Sequence, residues 1–163
     1  MCGITGFFSY DFNKDELVNM TESLNHRGPN AEGYFFNSIK GVGLGHKRLS
    51  IIDLSISANQ PMTSHCGRYK MVYNGEVYNF KEIAKKLGNL NWKTNSDSEV
   101  ILEAFAKWGI DFVQKLNGMF AIAIYDLQED KLILLRDRMG IKPLYYYKNG
   151  EDLIFASELK AIK

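Results

Sequence analysis

The sequence is short of several things, and each shortage closes off a class of function. No apolar run approaches the roughly 20 residues that cross a bilayer. The opening residues, MCGITGFFSYDFNKDE, have no basic stretch before their apolar segment and turn acidic and polar by Asp11, so they do not read as a secretory signal. Charge of one sign is missing too: 20 basic and 19 acidic residues leave a net +1, with no long like-charge block. That balance gives no electrostatic reason to expect nucleic acid or a membrane surface as a partner. Cysteine is scarce. Cys2 and Cys66 could pair only by tethering the extreme N-terminus, so two free thiols in a cytoplasmic chain is the expectation. His26, His46 and His65 have no regular spacing with either cysteine, and no metal site is expected. No repeat, low-complexity stretch or linker interrupts the 163 residues, which therefore read as one domain, 1–163, with enough chain to bury a core.

The residues that are present alternate between two periods. Ile4 to Phe8 is a short apolar run, consistent with a buried strand. Leu17, Met20, Thr21 and Leu24 share one face of a helix from about Lys14 to Asn25, which HRGPN (26–30) ends through Gly28 and Pro29. Strands follow near Gly33–Phe36 and Val42–Arg48. Lys70–Gly75 reads as a strand closed by a tight Asn74-Gly75 turn. Phe80, Ile83, Ala84 and Leu87 recur at helical spacing. Ser96 with Glu99 has the form of a capping box, opening a helix whose buried stripe is Val100, Ile101, Ala104, Phe105 and Trp108 and which Gly109 stops. In Met119–Asp126, Phe120, Ile122 and Ile124 face one way, and Met119, Ala121, Ala123 and Tyr125 the other. Both faces are apolar, as in a central strand covered on both sides. Leu132–Asp137 is expected to pair with it, and Asn149-Gly150 is the strongest hairpin signal. Many strands, with helices grouped in the first two-thirds, give an α+β fold of two stacked sheets with helices outside.

Cys2 is the first candidate for chemistry. A small residue near a chain end needs no function. However, removal of Met1, which a small second residue tolerates, would leave a free α-amine beside the thiol. Such an amine has a pKa of about 7.7–8.0 and can serve as base and acid for its own thiol, with no histidine needed. The thiol, at about 8.5, needs little activation.

Several blocks accompany Cys2 in order: MCGITGF, HRGP, GHKRLSIIDLS, QPM, VYNGEVYN, SDSEVIL, LNGMFAIAIYD and LLRDRMGIKPLYYY. Together they resemble, over essentially the whole chain, the glutaminase domain of the glutamine-hydrolysing asparagine synthetase family, a class II glutamine amidotransferase. The resemblance implies a four-layer αββα N-terminal-nucleophile hydrolase sandwich of two antiparallel sheets. It implies hydrolysis of L-glutamine to L-glutamate and ammonia through a thioester on Cys2. The Asn74 side chain and the Gly75 N–H would form the oxyanion hole, a role suited to neutral donors and to a residue without a Cβ. Arg48 would grip the substrate α-carboxylate, where a guanidinium fork fits better than lysine. Backbone groups of Leu49, Ile51 and Ile52 would line the pocket, and Glu76 and Asp97 would bind the α-ammonium. An acid in a helix's first turn also complements the helix dipole, which accounts for Asp97 without a substrate. The family pattern continues HRGP with aspartate; here Asn30 stands, which puts a charged role at that position in doubt.

The glutaminase half implies no metal or organic cofactor. In the family the segment FASELKAIK leads into an ATP-dependent synthetase domain, using ATP and Mg, that receives the ammonia and allows a homodimer in the full-length protein. No phosphate-binding glycine loop occurs here, so that domain is expected to be absent from this chain, which reads as a fragment. Two alternatives stand beside this: a catalytically silent docking module of the same fold if Met1 is retained, and a glutaminase serving another carboxylate such as a sugar acid.

Overall fold

A computed structural model describes residues 1–50 and 53–163. Among these residues, nine strands fall into two antiparallel sheets. The first holds β1 (Gly3–Phe8), β2 (Ala31–Asn37), β3 (Val42–Arg48), β8 (Tyr145–Asn149) and β9 (Asp152–Ala156), in the order β2-β3-β1-β9-β8. The second holds β4 (Met62–Thr63), β5 (Tyr69–Val77), β6 (Gly118–Asp126) and β7 (Lys131–Arg136), in sequence order. Helix α1 (Lys14–Glu22) covers the outer face of the first sheet, with Leu17 and Met20 packed beside Phe7 and Ile154. Helices α2 (Phe80–Leu87) and α3 (Asp97–Trp108) cover the second, with Ile83, Leu87, Ile101 and Phe105 against Met71, Tyr73, Ile122 and Ile124. Between the sheets lie Ile4, Val42, Leu44, Val72, Ala121, Ala123, Tyr125 and Phe155. The layers therefore run α, β, β, α.

The two apolar faces expected for β6 are the two buried layers. Phe120, Ile122 and Ile124 meet the helices, and Ala121, Ala123 and Tyr125 meet the other sheet. The small side chains on the inner face let the sheets close on each other. The pairing of β6 with β7 and the β8–β9 hairpin also follow the expectation.

Three local expectations are corrected. Asn74-Gly75 is not a turn: β5 runs straight through it to Val77, with Asn74 opposite Ala121 and Gly75 opposite Phe120. The glycine serves close approach instead, because a Cβ there would lie 2.4 Å from Met119 O and 2.9 Å from Phe120 Cα. The capping box expected at Ser96 and Glu99 is not formed either. Ser96 makes no side-chain cap, and Glu99 reaches back further, accepting from the N–H groups of Lys93 (3.0 Å) and Thr94 (2.8 Å) and from His65 Nε2 at 2.7 Å. A true capping box opens α1, where Asn13 Oδ1 accepts from Asp15 and Glu16 N–H and Glu16 Oε2 accepts from Asn13 N–H. Helix α1 ends at Glu22, three residues before the expected Asn25.

Candidate active site

The register of the first sheet brings the chain start to the end of β3. Gly3 pairs with Lys47, so Cys2 and Arg48 follow one step beyond, at the end of the sandwich. The second sheet delivers Asn74, Gly75 and Glu76 on β5 to the same place, and the first turn of α3 adds Asp97. These residues line a cavity of about 220 Å³ together with Met1, Leu49, Asp53, Gln60, Tyr73, Ser98, Met119 and Lys142. Of the site residues expected from sequence, Cys2, Arg48, Leu49, Asn74, Gly75, Glu76 and Asp97 thus come together. Ile51 and Ile52 lie outside the described residues.

Cys2 is fixed from two directions. Its Sγ lies 3.4 Å from the Leu49 N–H and 3.7 Å from the Leu49 carbonyl, so that one residue can donate to a thiolate and accept from a thiol. Its carbonyl accepts from Arg27 Nε at 3.0 Å, and Arg27 Nη1 is in turn paired with Glu158 at 2.8 Å. Burial raises the Glu158 carboxyl, but hydrogen bonds from Arg27 and His26 outweigh burial and hold it at about 2. Burial pushes the Cys2 thiol up, only partly offset by the Leu49 N–H. A thiol held in its neutral form needs a base close by to become a nucleophile.

The free edge of β5 has an alternating pattern of use. Tyr73 N–H donates to Gln60 Oε1 at 2.6 Å, and Val77 N–H donates to Asp97 Oδ2 at 3.0 Å. Gly75, between them, points the same way. Its partner Phe120 uses both backbone groups on Asp137, through Asp137 N–H (2.8 Å) and Asp137 Oδ2 (3.1 Å). Gly75 and Phe120 therefore form the non-hydrogen-bonded kind of antiparallel pair, and the Gly75 N–H is turned to the cavity. Asn74 Nδ2 is buried and has no hydrogen-bond partner among the described residues. Orphaned buried donors are rare and call for an explanation. Asn74 Nδ2 and the cavity-facing Gly75 N–H, neither with a hydrogen-bond partner among the described residues, thus line the cavity that holds Cys2.

The charged groups are also partly committed. Arg48 is buried, and its guanidinium donates to the carbonyls of Asp53 and Ser55 (2.8 Å for Ser55) and to Asn59 Oδ1 at 2.6 Å. It shapes the 53–59 segment as well as lining the cavity. Asp97 is buried, which raises its carboxyl; Val77 N–H, the Tyr73 hydroxyl (2.7 Å) and Ser98 N–H act against burial, and the charge of Glu76 adds to it. A buried carboxylate of this kind is relieved by a cationic ligand. Glu76 is exposed at the cavity rim. Asn30 performs a neutral task where a charge was in doubt: its Oδ1 accepts from Ser50 N–H at 3.0 Å.

Sequence reasoning missed four contributors. Gln60 and Tyr73 hold the β5 edge and Asp97, His46 braces the same edge, and Lys142 enters from the loop after β7. His46 is fully buried; its Nε2–H donates to Tyr73 O at 3.2 Å, its Nδ1 has no partner among the described residues, and burial brings its pKa down to about 4. Gln60 stood in the QPM block and Lys142 in the GIKPLYYY block, but no local spacing joins either to Cys2. Among the described residues no group of three or more His, Cys, Asp or Glu is placed to hold a metal, and no helix is long and apolar enough to cross a membrane.

Comparison with known proteins agrees with this geometry. The glutamine amidotransferase domain family matches residues 1–163. The putative glutamine-hydrolysing asparagine synthetase 2 of Methanocaldococcus jannaschii is 42% identical, covering 99% of this chain and 35% of the relative. Asparagine synthetase 2 of Bacillus subtilis is 40% identical, covering 99% of this chain and 22% of the relative. The chain thus spans about a third or less of these relatives' length. Among solved structures, the glutamine phosphoribosylpyrophosphate amidotransferase of B. subtilis, complexed with ADP and GMP, superposes with a TM-score of 0.81 at 21% identity, over 99% of this chain and 43% of that one. That likeness identifies the sandwich as the N-terminal-nucleophile hydrolase fold. With a family match over its full span and a cysteine, two open donors and a buried acid gathered at one end of the sandwich, the chain belongs to the glutamine amidotransferase domain family.

Proposed function

We propose that the chain, once Met1 is removed, hydrolyses L-glutamine to L-glutamate and ammonia through a thioester on Cys2. The observation that carries this reading is the buried Asn74 Nδ2, without a partner among the described residues, in the cavity that holds Cys2. The exposed α-amine of Cys2 takes the thiol proton, and the sulfur attacks the side-chain amide carbon of glutamine. Negative charge moves to the former carbonyl oxygen, between Asn74 Nδ2 and the Gly75 N–H. The tetrahedral adduct collapses as the α-ammonium returns the proton to the leaving nitrogen, releasing ammonia and the thioester. Water then attacks the thioester with the same amine as base, and the thiol is regenerated. Arg48 holds the substrate α-carboxylate, and Asp97 and Glu76 hold its α-ammonium. Leu49 lines the pocket and, through its N–H, stabilises the thiolate.

This half-reaction needs no cofactor. The names of the relatives support asparagine synthesis as the destination of the ammonia, on a synthetase domain using ATP and Mg. A cytoplasmic location fits two free cysteines. A glutaminase assay on processed protein with a Cys2→Ala control tests the reading. Glutamate should appear with wild type and not with the variant; no release by processed wild type, or equal release by both, sinks it. Protein that keeps Met1 should be silent, because its α-amine is on the wrong residue.

A further inference from the structure

Lys142 is a charged group in the cavity that the mechanism above does not use. Its backbone is pinned at both ends: the N–H donates to Asp137 Oδ2 at 3.0 Å, and the carbonyl accepts from Arg136 Nε at 2.7 Å. Its side chain enters the cavity and is only 6% exposed as a residue. The sole hydrogen-bond partner of Nζ among the described residues is Met1 Sδ, at 3.2 Å, and none of their ion pairs involves Lys142. A thioether is a weak acceptor. Desolvating an ammonium against one is unfavourable, and uncompensated groups of this kind concentrate at functional sites.

Met1 Sδ marks where this charge stands relative to the reacting centre. Five covalent bonds separate Sδ from the Cys2 nitrogen, a reach of about 6 Å, which puts Lys142 Nζ within about 10 Å of that nitrogen. When Met1 leaves, the nitrogen becomes an α-amine. We propose that the Lys142 ammonium lowers the proton affinity of the Cys2 α-amine in the processed chain and so keeps it a free base at neutral pH. The inference rests on the glutaminase reading and deepens it by naming what tunes its base.

The other charges around the amine set what Lys142 has to oppose. Glu76 from β5, Asp97 from α3 and Asp53 after β3 all line the cavity, and each favours the protonated amine. Against them stand Arg48 from β3 and Arg27 from the loop after α1. Arg27 is neutralised by Glu158, and Arg48 is turned to the carbonyls of Asp53 and Ser55. Among the described residues neither Arg48 nor Lys142 has a carboxylate partner, so both fields reach the amine, and that of Lys142 adds to that of Arg48. An amine base must be unprotonated when substrate arrives, and with Lys142 neutralised the three carboxylates would hold it protonated to higher pH.

The acid limb of kcat/KM for glutamine, followed in processed wild type, Lys142→Met and Lys142→Arg, tests this. In Lys142→Met the limb should move to higher pH by about one unit, as for unit charges about 10 Å apart in a partly desolvated site. That is roughly a tenfold loss on the limb, recovered on the alkaline plateau. Lys142→Arg should keep the wild-type limb. A raised KM at every pH with an unmoved limb would make Lys142 a substrate ligand and overturn the proposal, as would an arginine variant that behaves like the methionine one. Should Lys142→Met fail to fold, carbamylation of the Cys2 α-amine by cyanate, followed by mass spectrometry across pH in wild type, reads the amine directly. A pKa at or above the ordinary range of about 7.7–8.0 ends the proposal. This second measurement needs no turnover, so it separates failure of the tuning role from failure of the glutaminase reading.

Discussion

On one side of the cavity β5 is paired with β6 along its whole length, Tyr69 to Val77. On the other, residues 53–59 are held by side-chain bonds, the Arg48 guanidinium tying them to the sheet and Asp53 Oδ2 accepting from Asn95 N–H at 2.8 Å, with Leu54 and Ile56 turned to solvent. The first wall carries Asn74 and Gly75, whose positions would set the barrier; the second surrounds Arg48, which would recognise one end of the substrate. A ladder of backbone bonds opens only with the sheet, whereas a segment held by side-chain bonds can open locally. The division would suit the proposed chemistry, in which the oxyanion donors must not move while substrate enters and leaves.

The comparison can be broken most sharply at Asn74. Asn74→Ala should lower kcat by about 10²–10³, or about 3–4 kcal/mol of barrier, with KM little changed. It should leave the melting temperature intact, since the buried Nδ2 has no partner to lose. Weakened glutamine binding with normal turnover would contradict the role given to this wall. Gly75→Ala tests its rigidity. The new Cβ would press on backbone atoms of Met119 and Phe120, and overpacking of this kind costs about 1–3 kcal/mol, readable by urea unfolding. A variant as stable as wild type would mean that β5 and β6 can part easily.

The second wall should respond differently. Arg48→Lys keeps the charge but loses the fork, so KM should rise about tenfold, the equivalent of 1.4 kcal/mol, with a smaller change in kcat. Hydrogen exchange in residues 53–59 should accelerate while β5 stays protected. Equal acceleration in both would show that the walls are not independent. Asn59→Ala, which removes one acceptor of that guanidinium, should cost about 1 kcal/mol or less and disturb only the same segment.

How far the sequence reached follows the range of the interactions involved. The two-faced pattern of β6 was legible because a strand's environment is written in its own alternation. The helical stripes of α2 and α3 were legible for the same reason. Asn74-Gly75 was misread as a turn because the dipeptide is a common turn former, while the atoms that require glycine there belong to Met119 and Phe120, more than 40 residues away. Glu99 was assigned to its own helix cap for lack of any local sign of His65. Likewise, family resemblance named residues that the fold brings to one cavity, Ile51 and Ile52 lying outside the described residues, but not their supports. Leu49 on Cys2, Gln60 on Tyr73 and Lys142 on Met1 are contacts across 47, 13 and 141 positions, and no periodicity encodes them.

His46 has a consequence for how the domain ends its life. Its Nε2–H is spent on the strand edge that carries the proposed oxyanion donors, and its Nδ1 has no partner among the described residues, so a second proton would arrive in the core with nowhere there to bond. Folded chains refuse that proton down to about pH 4, whereas an unfolded chain accepts it at about 6.5. Between those values unfolding takes up a proton, so stability is lost as pH falls through the window and is fully present above it. The histidine is therefore silent in the neutral range where the proposed amine works, and it acts as a fuse in acid. Acidification from about pH 6.5 to 4 should therefore cost stability, and unfolding measured across that window should show the loss shrink when His46 is replaced by a non-titrating residue.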